Sequence, residues 1–436
     1  MPRFTFWPWR TGLRGRQAAC VRGSRLPPLH FLVSVITVCG LAACASPKGF
    51  LEPVKEAPAP GTSQVEMLVA TTRKRTTPAE MFSGFRGPAL DFADIVVSLP
   101  PDSVRQIGEI QLPRQTPGDP ATDFVTRKAD YNDRTQALAT FRRLVRTPPK
   151  KQVLVFVHGF NNRFEDAVFR FAQFVHDSGV EAQVVPVLFT WPSKARVLAY
   201  GYDRESVEYS RDELESGLRF LAKDPEVGEI TVLAHSMGNW VTLEALRQMA
   251  IRDGKVAQKI HDVILAAPDV GVDVAYKQID QIHALGARRP KFFLVTSEDD
   301  RALAISRRVW GEPRLGSIDP NQEPDESKLK REGIEVIDAT RFRSSDPFHH
   351  GKFAENPQLA SVIGQIFTPG QTLTGSRVSL GEKILQTTAG ATASVGHAAG
   401  LIVTAPVAIV DPLTREQFGD QVDAFSRSVQ DAATPQ

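Results

Sequence analysis

From residue 152 onward, short apolar runs alternate with stretches whose apolar residues recur at helical spacing, and this alternation limits the chain to few architectures. Val153-Leu154-Val155-Phe156-Val157 has no polar member, as expected of a strand buried on both faces of a parallel sheet. Phe164, Ala167, Val168, Phe171, Ala172 and Val175 follow at i, i+3, i+4, i+7, i+8 and i+11, one face of a helix. The same signals predict strands at 184–189, 230–234, 263–266, 292–295 and 334–337. They predict helices around Val207, Leu214, Leu218 and Leu221, and over 237–250, 302–308 and 357–366. Met67–Ala70 and Ile95–Leu99 add two earlier strands, with a helix near 131–145 inside an otherwise polar, proline-containing stretch from 100 to 150. The pattern predicts an α/β fold: an open, mostly parallel sheet of eight strands with helices on both faces.

The first 64 residues are of another kind. Six arginines (Arg3, Arg10, Arg14, Arg16, Arg22, Arg25) and no acidic residue precede the apolar run 31–43. As a helix those 13 residues rise about 20 Å, short of the roughly 30 Å of a bilayer core, which is the pattern of a secretory leader. Leu41-Ala42-Ala43-Cys44 resembles a bacterial lipobox, with Cys44 the residue that receives lipid and begins the mature chain. By the same resemblance, Ala45 favours the outer membrane, facing the periplasm. Residues 44–64, rich in Pro, Gly, Ala and Ser, read as a flexible tether. A domain over 65–368 follows, then a C-terminal extension over 369–436, expected to be partly helical.

Composition removes several classes. All three cysteines, Cys20, Cys39 and Cys44, fall in the first 44 residues, so the body holds no disulfide and no cysteine metal site. Basic and acidic side chains number 52 and 50. With the six leader arginines set aside, the rest of the chain is net acidic by four, which disfavours a nucleic-acid-binding body. No His/Asp/Glu spacing marks a metal, and no glycine-rich phosphate loop appears, so no cofactor is expected.

Ala234-His235-Ser236-Met237-Gly238 carries the chemistry. A serine hydroxyl needs a base to become a nucleophile and must project from the protein to reach a carbonyl. A sharp strand-to-helix turn projects it, and small residues at −2 and +2 let the backbones pass. Ser379 and Ser394 also precede x-Gly, yet neither has a small residue at −2 or follows an apolar strand. An acyl-transfer site further needs N–H donors for the oxyanion. The turn supplies Met237, and Val157-His158-Gly159-Phe160, at the end of an earlier strand, supplies Phe160. His158 is expected to be structural. The order serine, acid, histidine directs attention to Glu298-Asp299-Asp300 after the seventh predicted strand and His349-His350 after the eighth. Asp269, after the sixth, is a reserve acid. Trp191, Tyr200 and Asp203 are expected to serve the core more than a pocket, and the charged stretch from Arg314 to Arg331 to be solvated surface.

The runs Phe156-Val157-His158-Gly159-Phe160-Asn161-Asn162, Phe189-Thr190-Trp191-Pro192-Ser193 and Ala234–Gly238 resemble an uncharacterised bacterial α/β-hydrolase family of the esterase/lipase superfamily. Met67–Arg73 and Phe82–Gly87 match its usual opening, and the resemblance covers about 65–368. It implies an α/β-hydrolase fold. The family's Ser-x-x-Asp-x-Ala-Leu falls on Ser297–Leu303, making Asp300 the acid with Asp299 second. Its His-Ser-Tyr-(Tyr/Phe) falls on His350-Gly351-Lys352-Phe353, where Ser and Tyr are replaced, so His349 stays open. The expectation is a lipid-anchored serine hydrolase of esterase type acting on a small-molecule or envelope acyl substrate. Its rivals are an acyltransferase and a non-catalytic lipoprotein that keeps the fold for binding. The short segment 267–290 argues against a large lid.

Overall fold

Nine strands form one sheet in the computed structural model, which describes residues 49–147, 151–284 and 289–367. Strands β1 (Ser63–Arg75), β2 (Phe82–Leu99) and β3 (Val125–Asn132) lead into helix α1 (Arg134–Val145). Then come β4 (Gln152–Val157), α2 (Phe164–Asp177), β5 (Val184–Thr190), a 3-10 turn (Val197–Ala199), α3 (Tyr200–Tyr209), α4 (Arg211–Lys223), β6 (Glu229–His235) and α5 (Gly238–Asp253). The chain continues through β7 (Ile260–Ala266), α6 (Val272–Ala284), β8 (Lys291–Thr296), α7 (Arg301–Trp310), α8 (Asp325–Glu332), β9 (Glu335–Asp338), α9 (Lys352–Glu355) and α10 (Pro357–Gln365). The sheet order is β3-β2-β1-β5-β4-β6-β7-β8-β9. The first three strands pair antiparallel; β1 pairs with β5, and all later neighbours pair, in parallel.

The apolar run in β4 shows why the alternation reads so clearly. Val153, Val155 and Val157 join one core, built with Phe141 of α1, Leu218 of α4, Leu246 of α5 and Ile279 of α6. Leu154 and Phe156 face the other, built with Phe171 of α2, Phe353 of α9 and Ile363 of α10. A strand that feeds two cores has no face left for a polar side chain.

The structure departs from the sequence reading in four places. Strand β3 was not expected, because Arg127, Lys128 and Asp130 break its apolar pattern; it is the outermost strand and pairs on one side only. Strands β1 and β2 are longer than their apolar centres, since their ends pair with each other across bulges up to Arg75 and Phe82. Part of the stretch read as a tether is packed on the domain. Phe50, Leu51 and Val54 are buried, Phe50 packs edge-on against Phe169, and Val54 N–H donates to Thr126 O at 2.9 Å. The stretch from Arg314 is not solvated throughout, because Arg314 itself is buried. The leader, Cys44 and the C-terminal extension lie outside the described residues. Among the described residues, no helix is long and apolar enough to cross a membrane.

Parallel strands end at one edge, and that edge holds most of the backbone strain. Of the six non-glycine residues with positive φ among the described ones, five (Asn161, Ala195, Ser236, Ala267, His349) lie in the segments that follow β4, β5, β6, β7 and β9. Such conformations cost of order 1–3 kcal/mol each and persist where the surroundings enforce them. Helix α7 lies across this edge and does not run back along a sheet face. It starts from the end of β8, and the chain beyond it returns to the ends of β7 and β8 through Leu315 N–H to Val270 O (2.9 Å), Gly316 N–H to Pro268 O (3.0 Å) and Ser297 N–H to Gly316 O (2.8 Å). Only Leu303 and Ser306 of α7 are buried. The segment 267–290 contributes α6, so the small cap over the edge comes from a different loop.

Candidate active site

Ser236 occupies the turn between β6 and α5 at φ 54°. Its N–H is fixed to Ala266 O (3.0 Å), and its carbonyl accepts from Asn239 Nδ2 (2.9 Å) and from the Asp269 N–H (3.2 Å). Two glycines make the turn possible. A Cβ on Gly238 would overlap the His158 carbonyl oxygen and lie 2.7 Å from Val157 O. One on Gly159 would lie 2.7 Å from Ser236 Cβ and 3.0 Å from His235 Nδ1. The loop Gly159–Asn161 therefore passes directly against the serine. Among the described residues, no acceptor pairs with the N–H of Phe160 or of Met237. Two donors stand free beside one hydroxyl.

His350 arrives from the loop after β9, and Asp300 from the end of β8. His350 Nδ1 and Asp300 Oδ2 are 2.6 Å apart, with the Asp300 side chain fully buried. The other carboxylate oxygen accepts the Leu303 N–H at 2.9 Å, so Asp300 also caps α7. The imidazole ring packs on that of His235, the residue before Ser236, with centroids 4.7 Å apart. Burial opposes a charge on His350, but the Asp300 charge and hydrogen bond outweigh it, and the imidazole is held above its ordinary value. With Nδ1–H donated to Asp300, Nε2 carries the free lone pair.

The alternative acids and histidine have partners of their own. His349, at φ 55°, turns to Asp299, with Nδ1 2.9 Å from Oδ2. Asp299 also accepts from Lys352 Nζ (2.6 Å) and Ser297 Oγ (2.5 Å). Burial would raise its pKa, but the Lys352 and Ser297 hydrogen bonds outweigh that and hold the carboxyl below its usual range. This second acid–histidine pair binds the two loops together beside the first. Asp269 is engaged elsewhere: Tyr200 Oη (2.7 Å), Ser306 Oγ (2.5 Å) and Arg314 Nε (3.2 Å) all reach its carboxylate.

His158 is buried, with its ring nitrogens engaged by neighbouring groups. Burial first, and the nearby Arg73 charge second, depress it to about 3. Its Nδ1 lies 2.8 Å from Gly159 O, and Nε2 accepts from the Trp191 N–H at 3.1 Å. Trp191 is fully buried, as a core aromatic should be.

Three features were missed. Arg73 is 1% exposed and ties together the segments that leave β4 and β5. Its Nη2 donates to Asn162 O (2.9 Å), Nη1 to Ser193 O (3.3 Å) and Nε to Thr190 Oγ1 (2.7 Å). Burial lowers it to about 10. His235, held well below its usual value first by burial and then by the His350 charge, is neutral and meets His350 O at 3.2 Å through Nε2. An aromatic wall runs from Phe160 to Tyr200 (centroids 5.0 Å) and on to Trp310 (5.9 Å). Only the position of Arg73 at the end of an apolar run hinted at burial. Among the described residues, no group of three His, Cys, Asp or Glu side chains is placed to hold a metal ion.

A parallel sheet flanked by helices, with a strained serine at a strand-to-helix turn, is the α/β-hydrolase fold. Residues 133–367 match the family described as alpha/beta hydrolases of unknown function (DUF900), over more than half of the chain, and the protein belongs to that family. Similar solved structures include the esterase Pf2001 of Pyrococcus furiosus, at 12% identity and TM-score 0.29, over 50% of this chain and 82% of that one. A fungal esterase from Rhizomucor miehei matches at 13% identity and TM-score 0.28, over 80% and 92%. An alpha/beta hydrolase enzyme from the metagenome of Lake Arreo, Spain, matches at 12% identity and TM-score 0.29, over 78% and 98%. No curated protein matches the chain.

Proposed function

We propose that the protein is a serine hydrolase acting on ester bonds, with Ser236 as nucleophile, His350 as general base and acid, and Asp300 as the group that orients the imidazole. The observation that carries this is the buried 2.6 Å contact between Asp300 and His350 beside a serine held at positive φ. His350 Nε2 takes the Ser236 proton as Oγ bonds to the substrate carbonyl carbon. The N–H groups of Phe160 and Met237 receive the oxyanion. Collapse breaks the bond to the leaving alkoxide, which takes the proton from His350. Water, deprotonated by the same nitrogen, then releases the acid and restores the serine.

Incubation with a fluorophosphonate probe tests the assignment. Labelling of the wild type and none of Ser236→Ala is the expected result; labelling that survives Ser236→Ala, or none of a folded wild type, refutes it. A panel of p-nitrophenyl esters of rising acyl length would show turnover falling about ten-thousandfold or more in Ser236→Ala.

The same proposal holds the enzyme at the bacterial envelope through lipid on Cys44, supported by the Leu41-Ala42-Ala43-Cys44 pattern behind an arginine-flanked apolar run. Incorporation of an alkyne fatty acid, abolished in Cys44→Ala, is the expected outcome; incorporation that persists in the variant removes the anchor.

A further inference from the structure

The edge that holds Ser236 exposes large apolar side chains from three separate segments. Val197 (71% exposed) and Leu198 (100%) follow β5; Ile305 (50%), Val309 (67%) and Trp310 (47%) belong to α7; Phe348 (49%) precedes the two histidines. They make up half of the twelve exposed large hydrophobic residues among the described ones. Exposed apolar residues scattered singly need no explanation, whereas a cluster marks a contact surface.

That these six share one side follows from the topology. Strands β5, β8 and β9 are parallel to β6, so the segments leaving them emerge at the same edge as Ser236. Direct contacts join them. Trp310 Nε1 donates to Tyr200 Oη at 3.0 Å, which sets the end of α7 beside the first residue of α3, two residues after Leu198. The Arg301 N–H donates to Phe348 O at 2.9 Å, which sets its start against the histidine loop.

Charge gives the surface its partner. Arg196, Arg301, Arg307 and Arg308 are exposed among these apolar groups. No acidic residue occurs in 191–202 or in 301–311; Glu298, Asp299 and Asp300 precede α7, Glu312 follows it and Asp346 lies near Phe348, with Asp300 buried against His350 and Asp299 paired to His349 and Lys352. Outside its leader the chain is net acidic, so this basic patch is a local inversion. Aliphatic side chains, an amphipathic tryptophan and arginines on a helix with one narrow buried side are what an anionic lipid interface accommodates.

We propose that the cap face formed by α7, the 196–198 segment and Phe348 docks on an anionic phospholipid surface and thereby presents Ser236 to acyl esters resident in that surface. The docking claim stands by itself. The substrate class rests on the hydrolase assignment made above.

The test reads orientation, so that attachment through the N-terminal segment does not interfere. In the full chain with Cys20, Cys39 and Cys44 changed to serine, a polarity-sensitive dye is placed on Ile305→Cys. A second chain carries it on Ile251→Cys, which is 58% exposed in the last turn of α5, the helix that leads away from the Ser236 edge. Vesicles of phosphatidylcholine with about one third phosphatidylglycerol are added, and vesicles of phosphatidylcholine alone serve as the neutral arm. A blue shift at Ile305→Cys, absent at Ile251→Cys and weak with neutral vesicles, is expected. Arg307→Glu with Arg308→Glu should raise the lipid concentration for half-maximal shift about tenfold or more. No shift at Ile305→Cys, an equal shift at both sites, or indifference to the double charge reversal overturns the proposal. Turnover of water-soluble p-nitrophenyl butyrate by the same samples separates the two claims. Lost turnover with the dye response intact counts against Ser236 alone, and intact turnover without the dye response counts against docking alone.

Discussion

Replacing Asp300 with asparagine probes the proton relay with little change of shape. The Asn Oδ1 still accepts the Leu303 N–H, so the cap of α7 survives, while an NH2 group replaces the oxygen that meets His350 Nδ1 at 2.6 Å. Two donors then face each other, and the ring is driven to the tautomer whose proton sits on Nε2, where the serine proton must go. A charge-assisted hydrogen bond is worth about 1.5–3 kcal/mol, or about one to two pH units on the imidazole. The wrong tautomer in a comparable triad costs about ten-thousandfold in kcat, equivalent to about 5.5 kcal/mol of barrier. The assay is kcat and KM on p-nitrophenyl butyrate across pH, normalised to the fraction of folded protein. The wild type needs neutral His350, whose value is raised, so its acidic limb should fall above about pH 6.5. In Asp300→Asn the rate should collapse and the residual limb should move to lower pH. Asp299→Asn is the control, because that carboxylate serves His349 and Lys352: it should lose stability but keep the rate within a few-fold. A kcat for Asp300→Asn within tenfold of wild type, or an unmoved limb, would refute the triad.

Three further outcomes follow from the geometry. His158, neutral in the fold with a value of about 3, makes the unfolded chain bind the extra proton between that pH and about 6.5; chemical denaturation at pH 7, 5.5 and 4.5 should show its contribution to stability falling with acidity, by about 2–3 kcal/mol over that range. Stability from His350 runs the other way: it is full below about pH 6.5 and is lost as pH rises through the raised folded value. Gly238→Ala forces a methyl into the His158 carbonyl oxygen, and thermal melting should report a loss of about 3 kcal/mol together with loss of probe labelling. Arg73→Lys cannot span Asn162 O, Ser193 O and Thr190 Oγ1 at once; kcat should fall about tenfold or more with KM little changed, since the loop bearing the Phe160 N–H loses its anchor.

The sequence displayed the sheet interior openly because strands feeding two cores carry no polar residue, as β4 shows. Ser236 was legible for a related reason: its turn needs an apolar strand before it and a glycine after it, both local. The partner of His350 was harder to pick out, with three carboxylates in a row at Glu298-Asp299-Asp300. Their roles separate only in space, although the placement of Asp300 three residues before Leu303 is an N-cap signal that favours it. Arg314 and Asp269 lie 45 residues apart in the chain, and no local property of either announces a buried ion pair. Phe50 and Leu51 were hidden in a Pro- and Gly-rich stretch, where two apolar residues carry no period. Edge strand β3 escaped because a strand paired on one side tolerates the charges of Arg127 and Lys128.

The two oxygens of Asp300 are divided between the first turn of α7 and the His350 ring, so one buried carboxylate is shared by a surface helix and the imidazole. That division fixes where the helix can yield. Unwinding its start would release a charged oxygen with no water to receive it and slacken the ring in the same event. Its other end is closed by Gly311 at φ 76°, with no neighbour near the position of a side chain. Pressure on the outer face of the helix would therefore fall first on the glycine end, and the His350 ring would keep its orientation while the surface above it adjusts.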